Sequence, residues 1–206
     1  MQIIDISWPI SAAMTQYKDV KRVDLQSIAK PSSDAIEHMI SLHSHTGTHI
    51  DAPLHFLKKG STIDAIPLAN VVGPCRVLDF THVESCITAQ DLGYYAFKQE
   101  EIILFKTKNS ALVIDAPFNH NFVYLDKTGA QHLANMGVKT VGIDYLGIER
   151  NQPDHKTHKI LLGNTISIIE GLRLEHVKAG SYIIICLPLL LVGLDAAPAR
   201  AILIHM

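Results

Sequence analysis

"HSHTGTHIDAPLH", residues 43–55, sets four histidines and one aspartate within thirteen positions. The whole chain has 12 His in 206 residues, so a third of them fall here. In an extended chain, side chains alternate between two faces. His43, His45, Gly47, His49, Asp51, Pro53 and His55 then share one face, and Thr46, Thr48, Ile50, Ala52, Leu54 and Phe56 the other. From Ile50 onward the second face is apolar and suits a core. A straight strand separates the Cα atoms of His45 and His49 by about 13 Å, at roughly 3.3 Å per residue. A helix would bring them closer, but Thr46, Gly47, Thr48 and Pro53 make a poor helix. The spacing therefore predicts a strand that curls at Gly47, where the missing Cβ admits unusual backbone angles. Such a curl aims His45, His49 and Asp51 at one point. Imidazoles and a carboxylate suit Zn²⁺ or a similar first-row ion. The same residues also allow a histidine-rich surface that holds no metal.

The rest of the chain sets the frame. At 206 residues, one domain spanning 1–206 with a substantial core is the simplest expectation. Apolar residues make up 48% and charged residues 18%, an ordinary globular balance. A formal net charge of -2 gives no electrostatic reason to expect nucleic acid or an acidic membrane as partner. "MQIIDISWPI" at the start does not read as a secretory leader. The longest strongly apolar run, "IIICLPLLLV" (183–192), is too short to span a bilayer and reads as a buried strand that breaks at Pro188. Cys75, Cys86 and Cys186 fit neither a disulfide framework nor a zinc knuckle, so a reducing, cytoplasmic setting is expected.

Strands are predicted at "QIIDIS" (2–7), "MISLHSH" (39–45), "CRVLDF" (75–80), "EIILFKT" (101–107), "TVGIDY" (140–145), "SYIIIC" (181–186) and "ARAILI" (199–204). Helices are predicted at "TAQDLGYYAF" (88–97), capped by Thr88, and at "DKTGAQHLANMG" (126–137), closed by Gly137. "KPSSD" (30–34) is the clearest loop signal. The sum is a mixed α/β fold richer in strand than in helix.

A second cluster lies in "DHKTHKILLGNTISIIEGL" (154–172), where His155, His158 and Glu170 are candidate ligands. Glu170 ends the apolar strand "TISII", and a carboxylate buried there needs a partner. In solvent it is a plain strand-end charge. His155 lies in a polar stretch and is expected in water.

"HTGTHIDAPLHF" resembles the signature HxGTHxDxPxHF of the cyclase family, which includes bacterial kynurenine formamidases. "HKILLGNTISIIEGL" is similar to that family's second motif. "GSTIDAIPLANVVGPCRVLDF", "VKTVGIDYLGIE" and "LPLLLVGLDAAPARAIL" also look like family segments, in order over nearly the whole chain. The resemblance implies a swivelling β/β/α fold, a homodimer or higher oligomer, and a hydrolase with two divalent ions, usually zinc and in some members manganese. Carried over, His45, His49 and Asp51 hold the first ion, Asp51 bridges to the second, His158 binds the second, and Glu170 is the other bridging carboxylate. His55 matches the catalytic acid/base histidine. A hydroxide between the ions would attack an amide, formyl or lactone carbonyl, and His55 would protonate the leaving group.

Two stretches depart from the family pattern. The kynurenine-directed members carry Trp in a loop of type VWPGD, where "MTQYKDV" here offers Tyr17 as the substrate-binding residue. Trp8 lies nine residues earlier and reads as a packing residue of the first strand. After "LPL" the family often has a basic residue, where this chain has Leu191. The expected function is thus hydrolysis of a small-molecule C–N amide, an aryl formamide among the candidates. A lactone, ester or isatin-like ring, and a non-catalytic metal protein, are the alternatives.

Overall fold

Several apolar runs of this chain have no polar face because both of their faces are covered. The computed structural model of the protein describes residues 1–28 and 34–205. The loop signal at 30–34 therefore falls almost wholly outside the described residues. The strands are β1 (Gln2–Asp5), β2 (Val23–Ser27), β3 (His38–Leu42), β4 (His49–Asp51), β5 (Val72–Asp79), β6 (Cys86–Ile87), β7 (Ile102–Lys106), β8 (Tyr124–Leu125), β9 (Thr140–Ile143), β10 (Ser167–Glu170), β11 (Gly180–Pro188) and β12 (Ala196–His205). The helices are α1 (Ala89–Leu92), α2 (Lys127–Met136) and α3 (Lys156–Gly163). The architecture is the mixed, strand-rich α/β class expected from the sequence.

One sheet runs β1–β12–β11–β5–β7–β9–β10–β4, and β4 returns to pair with β12. That return closes a barrel. Ala196–Pro198 of β12 take β4, while Ile202–His205 take β1. Strands β5, β7, β9 and β10 are parallel neighbours, and parallel neighbours need crossover connections. These carry α1, α2 and α3. Along β7, Ile102 and Leu104 point into the barrel, and Ile103 and Phe105 into a second core with Leu133 and Leu161 of the helices. Burial on both faces explains why "EIILF" shows no alternation. A third cluster gathers Trp8, Met14, Val23, Phe118, Phe122 and Tyr145. Trp8 is a packing residue as expected, although it lies beyond the end of β1.

The helix expected over 88–97 is only one turn. Thr88 and Asp91 form the capping box, but Gly93 follows at once and Tyr94 is exposed, so no apolar face carries the helix further. Helix α2 matches its expectation: Asp126 accepts from the N–H groups of Thr128 and Gly129, and Gly137 closes it at φ 71°. Helix α3 was not foreseen. Its N-cap position, His155, makes no side-chain cap hydrogen bond, so the sequence carries no start signal. Strand β2 was also missed: among the described residues it pairs only with β3, in a hairpin whose Leu25, Met39 and Ile40 are exposed. Strand β11 ends at Pro188, as the apolar run foretold, but the run is not the buried strand expected: Leu187, Leu189, Leu190 and Val192 are exposed. Among the described residues no helix is long and apolar enough to cross a membrane.

The expected strand over 39–45 stops at Leu42, and residues 44–48 turn before β4. Gly47 is the pivot, at φ 60°. Against it packs Gly171, directly after Glu170, at φ 71°. A Cβ on Gly171 would lie 2.3 Å from the Gly47 carbonyl oxygen. An L-residue in this backbone region costs about 1–2 kcal/mol before any clash. Gly171→Ala is therefore expected to destabilise the metal-free protein by about 2 kcal/mol or more, lowering Tm by about 4–8 °C for a chain of this size. Differential scanning calorimetry checks this, and an unchanged Tm would show that the 44–48 turn is not held by this contact.

Candidate metal centre

Strand pairing brings the two ligand motifs together. In β4, His49 and Asp51 share a face, while Ile50 points into the barrel. His49 lies opposite Glu170 across the antiparallel β10, and opposite residues project to the same side. Helix α3 packs over this end of β10 and supplies His158. The cluster thus sits at the carboxyl ends of parallel strands, the usual location for α/β sites.

The contacts are short. His45 Nδ1 lies 2.9 Å from Asp51 Oδ1. His49 Nε2 is 3.5 Å from Asp51 Oδ1 and 3.3 Å from Glu170 Oε2. His158 Nε2 is 3.5 Å from Asp51 Oδ2 and 3.4 Å from Glu170 Oε1. His49 Nδ1 meets the Gly47 carbonyl at 2.9 Å. A carbonyl only accepts, so Nδ1 carries a proton, and Nε2 is the ring nitrogen that faces the carboxylates. Asp51, wholly buried, pairs through its strand with both β10 and β12.

Neutral hydrogen bonding does not explain this cluster. Asp51 Oδ1, Asp51 Oδ2 and His49 Nε2 are enclosed, and none makes an aligned hydrogen bond. Asp144, an equally buried strand-end carboxylate, is the internal control. It accepts from Thr107 N at 2.7 Å, Thr107 Oγ1 at 2.8 Å, Ser110 N at 3.1 Å and Ser110 Oγ at 2.6 Å. With Asn109 Nδ2 at 3.4 Å, five neutral donors satisfy Asp144, and burial pushes its carboxyl up. At Asp51 burial pushes the same way, but His45, His158 and His49 outweigh it and hold the carboxyl well below its ordinary range. Glu170, raised by burial and by Asp51, is nonetheless brought down to about 2 by His158 and His49. Burial lowers His45, yet Asp51 and Asp195 push it up to about 9. The site is an anionic cavity that takes up positive charge.

The donor set fits a divalent ion. Bonds of about 2.1 Å from N and O ligands place donor atoms on one tetrahedral ion about 3.4 Å apart. The five separations between histidine nitrogens and carboxylate oxygens here run from 2.9 to 3.5 Å. Donors of His45, Asp51 and His55 gather within 4.8 Å, and so do those of His49, Asp51 and Glu170. Asp51 belongs to both groups.

Further residues complete the surroundings. His55, on the turn after β4, sits with its ring 4.1 Å from that of His45. Its Nδ1 is 3.2 Å from Asp195 Oδ2, and Asp195 also takes His45 Nε2 at 3.0 Å. Burial, with His45 and His158, lowers His55 despite Asp51. Asp195 was not picked out from the sequence, nor was Glu149, whose Oε2 lies 3.3 Å from His158 Nδ1. Both are single carboxylates beside apolar runs, the signal that singled out Glu170. His155 is about half exposed, as expected, yet its Nδ1 meets Glu149 Oε1 at 2.7 Å. Tyr17 lines a narrow pocket with Arg22, His45 and Leu146. Leu191 packs instead against the barrel core.

Comparison with known proteins gives a consistent picture. A family model described as "Putative cyclase" matches residues 4–150. The chain is 35% identical to a kynurenine formamidase of Salinibacter ruber, over 98% of this chain and 97% of the relative. A predicted metal-dependent hydrolase from Bacillus stearothermophilus superposes with TM-score 0.89 at 43% identity, covering 98% and 97% of the two chains. Isatin hydrolase A from Ralstonia solanacearum superposes with TM-score 0.82 at 18% identity, over 99% and 92%, and so shares the fold.

A side chain also ties the turn that precedes β4. Thr48 Oγ1 accepts from Trp8 N at 2.7 Å and donates to the Gly171 carbonyl at 2.6 Å, all buried. Thr48→Val keeps the shape and leaves two buried groups unpaired, at about 1–3 kcal/mol each. We expect urea denaturation of the metal-free variant to show a loss of about 2–4 kcal/mol. A loss below about 0.5 kcal/mol would mean that the turn does not depend on this bridge.

Proposed function

The chain belongs to the putative cyclase family, and we propose that within it the protein is a metal-dependent hydrolase of a C–N amide bond in a small molecule. The observation that carries this reading is the enclosed set of unsatisfied donors: both Asp51 oxygens and His49 Nε2. In this reading His45, His49 and Asp51 hold one divalent ion, zinc or manganese. Asp51, Glu170 and His158 would hold a second ion beside it. Two such ions supply Lewis acidity to a carbonyl oxygen and make water acidic enough to attack near neutral pH.

The chain's own groups do the rest. His55 takes the proton that water loses and passes it to the leaving nitrogen, so the amide and water become an acid and an amine. Its geometry supports that role: Asp195 occupies Nδ1, which leaves Nε2 for transfer. Asp195 holds His45 and His55 in fixed relation, because one Oδ2 meets both rings. Tyr17, beside His45, is the aromatic wall for the substrate. Similarity to kynurenine formamidases over nearly the full chain makes aryl formamides the first substrate class to try. Lactones and cyclic imides belong in the same panel, because Tyr17 stands where the kynurenine-directed loop has Trp.

Metal counts test the ligand roles. Elemental analysis of purified variants should find one ion left in His158→Ala. Both should be weakened in Asp51→Ala and in Glu170→Ala. Full occupancy in Asp51→Ala would overturn the site. For His55→Ala the expectation is different: metal content stays, and kcat on a formyl anilide falls by roughly 10²–10⁴. Loss of metal in that variant would make His55 a ligand and not the acid/base.

A further inference from the structure

Helix α3 begins without a cap of its own. His155 occupies the N-cap position at φ 49°, ψ 46°, and its side chain makes no cap hydrogen bond. The first N–H groups of any helix lack partners within it. Here a residue from outside the helix supplies one. Glu149 Oε2 accepts from the backbone N–H of His158 at 3.1 Å. The same oxygen lies 3.3 Å from His158 Nδ1, an ion-pair contact that falls short of aligned hydrogen-bond geometry. Its other oxygen, Oε1, takes His155 Nδ1 at 2.7 Å. Glu149 is 6% exposed, so these contacts are shielded from water.

Three contacts from one carboxylate thus fix the start of α3 and the ring of its third residue. The consequence for His158 is directional. A carboxylate at Nδ1 keeps the proton on that nitrogen, so Nε2 presents its lone pair to Asp51 and Glu170. The left-handed conformation of His155 is unfavourable for a residue with a side chain, and the short bond to Oε1 holds it there. Phe56 closes the arrangement, with its ring 4.6 Å from that of His158 and 4.8 Å from that of His155.

We propose that Glu149 is the positioning residue of the His158 ligand: it clamps both ring and main chain and so sets the affinity of the second metal ion. This rests on the reading of His158 as a ligand of that ion. Glu149, His155 and His158 also offer donors within 4.8 Å of one another, yet they do not form a site of their own. His158 Nε2 is already turned to Asp51 and Glu170. The Glu149–His155 contact is a closed hydrogen bond.

The test is zinc titration against a chromophoric chelator, with wild type, Glu149→Ala, Glu149→Gln and His158→Ala side by side. The equivalent that disappears in His158→Ala identifies the second ion. In Glu149→Ala the affinity of that equivalent should fall about 10–100-fold, the range for such supporting carboxylates, with the first equivalent unchanged. Glu149→Gln should recover part of the loss, because its amide oxygen still accepts one N–H but carries no charge. Metal-free melts accompany the titrations, and Glu149→Gln is expected to keep the wild-type Tm. Equal weakening of both equivalents together with a lower metal-free Tm would assign Glu149 a structural role only and overturn the proposal. Unchanged affinities would overturn it too, as would a third zinc equivalent lost in His155→Ala. A wild type that binds fewer than two ions overturns the two-metal reading itself, and that outcome is distinct because it appears before any substitution is made.

Discussion

Two carboxylates buried side by side constrain everything else in this molecule. Asp51 and Glu170 lie on adjacent antiparallel strands, Asp51 wholly buried and Glu170 nearly so. A buried charge without compensation costs several kcal/mol, and removing water between like charges raises that cost. Three histidines answer the charge, and each comes from a different structural device. The curl at Gly47 turns His45 inward, the strand itself presents His49, and α3 delivers His158. The pairing of β4 with both β10 and β12 closes the barrel and also creates the site. Register errors there would move Asp51 to the other face.

The same closure explains the division of labour around the cluster. Asp195 directly precedes Ala196, the β12 partner of Asp51, so barrel closure carries it to His45 and His55. Glu149 follows β9 and sits under the start of α3. Each of these outer carboxylates meets imidazoles, whereas Asp144, directly after β9, ties down the 107–110 turn. Four buried or half-buried acids in one neighbourhood therefore serve different ends, and what distinguishes them is the partner: imidazoles at Asp51, Glu149 and Asp195, neutral amides and hydroxyls at Asp144. The pocket beside His45, with Tyr17 and Arg22, is polar and aromatic at once.

Much of this was legible in the sequence, for physical reasons. Strands β7 and β9 announce themselves because burial on both faces demands unbroken apolar runs, and β5, β11 and β12 because one buried face and a half-covered one still favour β-branched and aliphatic residues. Gly47 could be named as the pivot because no other residue in the stretch tolerates the turn, and its φ of 60° bears this out. The ligand candidates followed from residue type and spacing. Asp195 was hidden because it is 150 residues from His45 along the chain and joins it only through strand pairing. Glu149 was hidden because its role is to cap a helix that has no cap signal of its own. The hairpin of β2 and β3 was hidden because its exposed faces leave a mixed pattern with little periodicity.

Metal content and hydrolysis measured together on one wild-type sample test the central claim most directly. The protein is dialysed against a chelator and titrated with zinc while hydrolysis of a formyl anilide is followed. The account predicts negligible hydrolysis without metal and a rate that reaches its plateau at two equivalents per chain, with the enclosed donors of Asp51 and His49 filled. Full hydrolysis by the metal-free protein, or a plateau unrelated to bound zinc, would contradict it.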